Sequence, residues 1–405
     1  MYIKDKLFGR AGRRLLSSFF LMFGLILGGA PAFAGSSDNL GTDFWLAFPK
    51  NYASEPALTL FISGDNAASG NVSVPGIGFT ADFTVTPGVV TSVVVPAKAQ
   101  IDSEDGIENK GIHVTSSAEV AVYGLNRIQY TTDAYLGLPK DVLGTEYRVL
   151  AYTSNGLPSQ LTVVASENAT TVTINPTTDA GSHPAGVPFD VTLQQGEVYQ
   201  LGGAVDVTGS SVIADKPVAV YGGNNCANIP PGYGYCDYLV EQMPPLTAWG
   251  KSFVTVPLAA RSKGDTFRIL ANEDNTAVTI NGAVVATLNK GQFHEQIIEV
   301  SSVITSSAPV LVAQYANGSQ YDEALGDPFE MLIPPFEQFL TKYTVSTPAD
   351  GFEINYANLV VSNAEVGNVK MDGVAIPAAS YSPIGSSGFS GAQVAITQGG
   401  HTFSG

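Results

Sequence analysis

The stretch Asn272–Gly282 reads Asn-Glu-Asp-Asn-Thr-Ala-Val-Thr-Ile-Asn-Gly: a tight loop, a short β-branched run, and an Asn-Gly turn. A near copy stands at Glu167–Asn175. Weaker copies stand at Ala68–Gly76 and Glu365–Gly373. One strand-and-turn phrase said four times, about a hundred residues apart, restricts the chain to four copies of one β unit. Fixed-period repeats stack or close on one another, burying faces that a single unit leaves open.

The surrounding pattern repeats with the phrase. Candidate first strands centre on Phe44, Tyr147, Phe253 and Tyr343, which lie 103, 106 and 90 residues apart. No window sustains apolar residues at i, i+3, i+4 and i+7, so no long helix is expected. The 43 Gly and 24 Pro are spread along the chain, as turns between many short strands require. Gly111–Ser116 and Val120–Asn126 read as two strands around a Ser-Ser-Ala-Glu turn. Gly222-Gly223-Asn224 reads as a turn and lacks the following helix of a phosphate cradle. In the fourth unit, Gln398-Gly399-Gly400 reads as the glycine that introduces a late strand.

The fold class is therefore all-β: four tandem units of about 90–105 residues, sandwich-like and mutually packed. A closed, propeller-like ring is the alternative. The boundaries are a signal peptide at 1–34, a linker at 35–40, and units at 41–143, 144–250, 251–340 and 341–405. The last unit is incomplete by this template, so the chain is read as a fragment of a longer one.

Residues 1–34 carry a basic stretch (Lys4 to Arg14), an apolar run and an Ala32-Phe33-Ala34 cleavage site, as a secretory signal does. Removing them takes away five basic residues and one acidic one, Asp5, leaving 14 Lys+Arg and 35 Asp+Glu, a net charge of −21. Such a surface repels phosphate backbones and anionic lipid, so no nucleic-acid or membrane-surface role is expected, and no later segment is long and apolar enough to expect membrane insertion of the mature chain. The only cysteines, Cys226 and Cys236, are expected to pair in an oxidising compartment and pin the Pro/Gly/Tyr-rich loop between them.

Three loops carry an Asp ahead of an apolar stretch and a proline: Asp133…Pro139, Asp237…Pro245 and Asp327…Pro335. An Asp that caps the loop explains them structurally. A rim of binding loops on a rigid scaffold explains them functionally. Asp102, Glu104, Asp105 and Glu108 crowd around Gly106, and their oxygens suit a calcium ion. No other cofactor is indicated. Tyr233, Tyr235 and Tyr238, beside the cysteine loop, are candidates for binding a protein or stacking on a sugar. The four histidines fall in no metal-ligand spacing and no Gly-x-Ser-x-Gly elbow is present, so no catalytic residue is assigned.

Several short patterns occur in consistent order. They are Gly41-Thr-Asp-Phe-Trp-Leu-Ala-Phe-Pro, the Glu104…Asn109-Lys110-Gly111-Ile112 loop, Val120-Ala-Val-Tyr-Gly and Asp133-Ala-Tyr-Leu-Gly-Leu-Pro. Lys216-Pro-Val-Ala-Val-Tyr-Gly and Gln242-Met-Pro-Pro before Trp249-Gly250-Lys251 complete the set. Together they resemble the N-terminal domain of the IgG Fc-binding protein family, here as a microbial, secreted member. The resemblance covers nearly the whole mature chain and assigns no contact residue. It implies a non-enzymatic, secreted or surface-displayed module, within an adhesin-like chain, that binds an extracellular protein or glycan. A secreted enzyme acting on carbohydrate or glycoprotein, and a structural spacer, are the alternatives.

Overall fold

The computed structural model describes residues 39–405 except 154–156, 324–325, 349–351 and 353. The expected signal peptide and residues 35–38 of the linker lie outside them. The all-β expectation holds. The described residues form strands joined by turns and three-residue 3-10 segments, and their one α-helix, α1, is the four-residue Ser319–Asp322.

The first strands are β1 (Gly41–Leu46), β2 (Ala57–Ser63), β3 (Ala68–Val74), β4 (Phe79–Val85), β5 (Thr91–Val95), β6 (Asp105–Glu108), β7 (Ile112–Ile128) and β8 (Thr131–Gly137). The first half of β7 pairs with β1 and β3, and its second half pairs with β2 and β8. The two strands expected at 111–126 are thus one strand of 17 residues. The Ser-Ser-Ala-Glu stretch makes a bulge rather than a turn: Asp43 faces Thr115, whereas Gly41 faces Val120. A bulge bends a strand and lets it pass from one sheet to the next.

The next strands are β9 (Glu146–Arg148), β10 (Ser159–Ala165), β11 (Thr170–Asn175), β12 (Phe189–Leu193), β13 (Val198–Gly203), β14 (Ser211–Ala214), β15 (Val218–Ala227) and β16 (Asp237–Gln242). Here β14 and β15 take the two halves of the long strand. Pro217, which has no N–H to donate, stands between them. Gly222 and Gly223 lie inside β15 and not in a turn. A Cβ on Gly222 would stand 1.9 Å from the Leu150 oxygen, and one on Gly223 would stand 1.9 Å from the Leu239 oxygen. Close backbone approach, not chain reversal, is why glycine stands there.

Then follow β17 (Gly250–Thr255), β18 (Asp265–Ala271), β19 (Thr276–Ile280), β20 (Ala283–Leu288), β21 (Phe293–Ile298), β22 (Ser302–Tyr315) and β23 (Glu330–Leu332). The order β20-β19-β22-β18-β21, with β17 and β23 also on β22, matches β4-β3-β7-β2-β5 with β1 and β8 on β7. Pro309 is tolerated inside β22 at a bulge like that of β7.

Last come β24 (Lys342–Ser346), β25 (Asn355–Ser362), β26 (Lys370–Met371), β27 (Val374–Ala375), β28 (Ser382–Pro383), β29 (Phe389–Ile396) and β30 (Gly400–Ser404). They form the sheets β24-β30-β26-β27 and β25-β29-β28. By pairing, β30 corresponds to the first half of β7 and β29 to β5. The strand-introducing glycine is therefore Gly388, with φ +82° beside +81° at Gly291 and +80° at Gly196, and not Gly399. The four copies of the repeated phrase fall on the corresponding strands β3, β11, β19 and β26.

Neighbouring segments share cores. Tyr221, Tyr238 and Val240 pack with Phe44, Phe48 and Tyr135, and Leu311, Ala313 and Tyr315 pack with Tyr147 and Leu161. The β6 strand leaves the first segment and pairs with β13 of the second. The first and last segments also touch. Lys342 and Thr344 on β24 bond to Asp65, and the Ser346 hydroxyl donates to Ser63 at 2.9 Å.

Candidate functional site

Three corresponding connections meet at one rim. The first is the β7–β8 hairpin, with Tyr130 at its tip. The second, between β15 and β16, contains Cys226 and Cys236, which form the expected disulfide. The third, between β22 and β23, carries α1. They are joined directly. Gly318 donates its N–H to the Ile229 oxygen at 2.6 Å, Gly234 donates its N–H to Gln320, and the Tyr233 and Tyr321 rings meet edge-on at 5.0 Å. The first two loops are stitched by the Tyr238 N–H donating to Thr131 Oγ1 at 3.0 Å and the Thr132 N–H donating to Asp237 Oδ1. Asn51 extends the seam, bonding to Thr131 through both its amide and its oxygen.

Four tyrosines surround this seam in solvent: Tyr130 (83% exposed), Tyr235 (71%), Tyr52 (60%) and Tyr233 (40%). A tyrosine ring offers a rigid apolar face and a hydroxyl at low entropic cost, which is why such residues anchor protein interfaces. Tyr238, expected among the binding residues, is fully buried instead. Its hydroxyl donates to the Pro49 oxygen at 2.8 Å, so it belongs to the floor of the rim and not to its surface. Tyr52 and Tyr130 had no sequence signal, because neither lies in a repeated pattern. What exposes Tyr130 is the two-residue hairpin tip, where it takes φ +71°.

Beneath the rim lies a layer of buried carboxylates. Asp133 on β8 accepts the N–H of Val240 on β16 at 3.1 Å and of Glu330 on β23 at 3.3 Å. Glu241 on β16 accepts from the main chain of Leu332 on β23. Glu330 bonds to the Tyr315 hydroxyl at 3.1 Å. The closing strands of three segments are thus tied by side chains that reach from one to the next. Burial pushes the Asp133 and Glu241 carboxyls well up, and the neighbouring acids, including Glu330, push the same way. Burial also raises Asp237 and Glu330, each to about 8.

The recurring loop aspartates are not all equivalent. Asp237 and Asp327 stand at matching places ahead of Pro245 and Pro335, but Thr131 takes that place before Pro139, and Asp133 lies two residues further on. The prolines have a shared role. A Cβ on Gly41, Gly144 or Gly250 would stand 2.3, 2.6 or 2.2 Å from the Cβ of Pro139, Pro245 or Pro335 respectively. Each proline is seated on the glycine that opens its own segment.

The four acidic residues around Gly106 are engaged one by one. Glu104 pairs with Lys50 at 2.7 Å, and Lys110 pairs with Asp102 at 2.7 Å and Glu108 at 2.6 Å. Glu108 also accepts the N–H groups of Asp102 and Ser103. Asp105, on β6, accepts from Tyr199 and Ser182 and faces His183. Although its partial burial works against ionisation, these hydrogen bonds and His183 hold its carboxyl down, at about 2. Among the described residues no three His, Cys, Asp or Glu side chains converge as a metal site would require. This stretch clamps the first segment to the second.

A family model described as IgGFc binding protein matches residues 133–405. The human IgGFc-binding protein is 29% identical over 365 residues, covering 87% of this chain and 7% of the human protein, so the chain spans a small part of that relative's length. No solved structure matches the chain. No helix among the described residues is long and apolar enough to cross a membrane.

Proposed function

The chain belongs to the IgGFc-binding protein family, and from that premise we propose that it is a non-enzymatic extracellular module whose partner docks on the tyrosine rim. The family points to protein binding rather than to an enzyme. The observation that carries the reading is the meeting of three corresponding loops with Tyr52, Tyr130, Tyr233 and Tyr235 exposed around one seam. The loops are held from below by the carboxylate layer and from the side by the Cys226–Cys236 bridge, so the rings are presented on a rigid support, which lowers the entropy lost on binding. Export is supported by the signal-like residues 1–34 and by the disulfide. The segments 41–143, 144–250, 251–340 and 341–405 serve as four units of one scaffold, and their recurrent strand order supports that division.

The test is a binding panel of immobilised IgG Fc, mucus glycoproteins and free glycans, followed by Tyr130→Ala and Tyr235→Ala. The reading expects a protein or glycoprotein ligand, with affinity reduced about tenfold or more by each substitution, the size of an interface anchor. A ligand whose affinity is unchanged in the double variant would place the binding face elsewhere. Binding of free glycan to the same face would assign the rings to sugar stacking.

A further inference from the structure

The first three segments open on the equivalent strands β1, β9 and β17. Four residues after their opening glycines stand Trp45, Arg148 and Val254. Trp45 and Arg148 each press on the strand-introducing glycine of the next segment. A Cβ on Gly196 would stand 3.1 Å from the Trp45 ring, and one on Gly291 would stand 3.1 Å from Nη1 of Arg148. In the first joint the indole stacks on His113. In the third, Val254 packs with Val256 and Ile384. The scaffold thus accepts an uncharged side chain at this place, and packing alone gives no reason for the cation in the second joint.

Arg148 is buried, with 8% of its surface exposed. Its Nε donates to Asn272 Oδ1 at 2.6 Å and its Nη1 to the Gly209 oxygen at 2.7 Å. Both acceptors are neutral, and Nη2 bonds to nothing among the described residues. Arg261 and Arg268, by contrast, have carboxylates: Asp322 for the first, Asp206 and Glu295 for the second. Among the described residues Arg148 has none. Glu146, two residues along the strand, is exposed and makes no ion pair with it, and Asp274 accepts the Lys290 N–H instead. Burial pushes the ionisation of the Arg148 guanidinium down, and no acid acts against it. A buried charge without a counter-charge is costly, and proteins pair such charges.

We propose that Arg148 holds a small monovalent inorganic anion of the chloride type at the joint between the second and third segments. Three donors serve it. Nη2 of Arg148 is the first. The Asn272 oxygen faces the guanidinium, which leaves the Nδ2 of the same carboxamide to donate beside it. Ser211 stands directly opposite Arg148 on β14, and its hydroxyl has no bond among the described residues. One uncompensated positive charge calls for one negative charge. The ion is small because the flanking chains are close: a Cβ on Gly209 would stand 2.1 Å from the Gly291 oxygen. The acidic surface opposes an anion only over short distances, since physiological salt screens charges beyond about 8 Å. The anion fastens two segments of the scaffold. This site is separate from the tyrosine rim, and neither proposal depends on the other.

The test is thermal melting of the full chain at constant ionic strength, with sodium gluconate replaced stepwise by sodium chloride. The unaltered protein is expected to gain about 2 °C or more, saturably, as a ligand that binds only the folded state requires. Arg148→Met, which keeps the length and removes the charge, is expected to show no chloride-dependent gain. No gain in the unaltered protein, or an equal gain in Arg148→Met, would overturn the proposal. Bromide-soaked crystals of the unaltered protein give a second reading that does not need the variant to fold. A bromide peak within hydrogen-bonding reach of Arg148 Nη2 is expected, and its absence overturns the proposal. A peak there without the chloride-dependent gain is an adventitious ion only, and overturns it too.

Discussion

The Asp133 carboxylate accepts the main-chain N–H of Glu330 at 3.3 Å, linking residues 197 apart in sequence. The same oxygen accepts from Val240. Burial raises its carboxyl well above the usual range, and in the structure Asp133 serves as an oxygen acceptor for these N–H groups. Asp133→Asn keeps an acceptor oxygen and is expected to change unfolding free energy by less than about 1 kcal/mol at pH 7. Asp133→Ala leaves buried N–H groups without partners and is expected to lose about 2–4 kcal/mol. Chemical denaturation of the two variants checks this; equal losses would refute the acceptor role.

Asp237 and Glu330 are both raised from the ordinary carboxylate range to about 8. A carboxyl raised on folding favours the neutral form. Its contribution is fully present below the unfolded value near 4 and is lost as pH rises through the folded value near 8. Each group sets a slope of about 1.4 kcal/mol per pH unit between those limits. The melting temperature should therefore fall from pH 5 to pH 9, and Glu330→Gln should flatten the fall. A melting temperature that rises across this range would count against a neutral carboxylate layer.

Gly250 opens β17 directly against Pro335, and a Cβ there would lie 2.2 Å from the proline's own Cβ. Gly250→Ala should destabilise the protein by about 1–3 kcal/mol through overpacking. Pairing it with Pro335→Gly removes the clashing atom, so a double-mutant cycle should show recovery beyond additivity. Strict additivity would mean that the contact carries no energy.

Arg268 is the buried joint between the second and third segments. Its guanidinium bonds to the Ala151 oxygen at 2.6 Å, Asp206 at 2.8 Å and Glu295 at 2.7 Å, and lies over the Tyr152 ring at 3.9 Å. Arg268→Ala strands the two carboxylates and the carbonyl together. A loss of about 3–5 kcal/mol is expected in denaturant unfolding. Lys at this position should recover little, because a point charge cannot fork between these oxygens.

The disulfide pins a loop that also hangs on Gln320 and Gly318. Cys226→Ser with Cys236→Ser should lower stability by about 2–3 kcal/mol, the scale of closing a loop of this size. Limited proteolysis should then cut between 228 and 235. Continued resistance there would show that the hydrogen bonds alone order the loop.

Local chemistry made the strand content, the repeated phrase on β3, β11, β19 and β26, the first strands around Phe44, Tyr147 and Phe253, and the cysteine pairing legible in the chain. Alternation, β-branching and turn residues act over a few neighbours and need no partner to be recognised. The long strands β7 and β22 were not legible. Ser116 to Glu119 looks like a turn in isolation and becomes a bulge only because two different sheets claim the flanking residues.

The site divides in the same way. The aromatic loop at 233–235 could be named from sequence, but Tyr238, three residues on, alternates into the core and is lost to the surface. Tyr52 and Tyr130 join the rim only because loops some hundred residues apart are folded side by side. Asp133, Glu241 and Glu330 are unremarkable acids until burial removes their solvent, Asp133 and Glu241 take the N–H of a neighbouring segment's strand, and Glu330 takes the Tyr315 hydroxyl. Pattern along the chain thus determined the elements. Which residues face water and which acids have their carboxyls raised were decided by packing, because solvent exclusion and cross-segment hydrogen bonds exist only once distant strands are in contact.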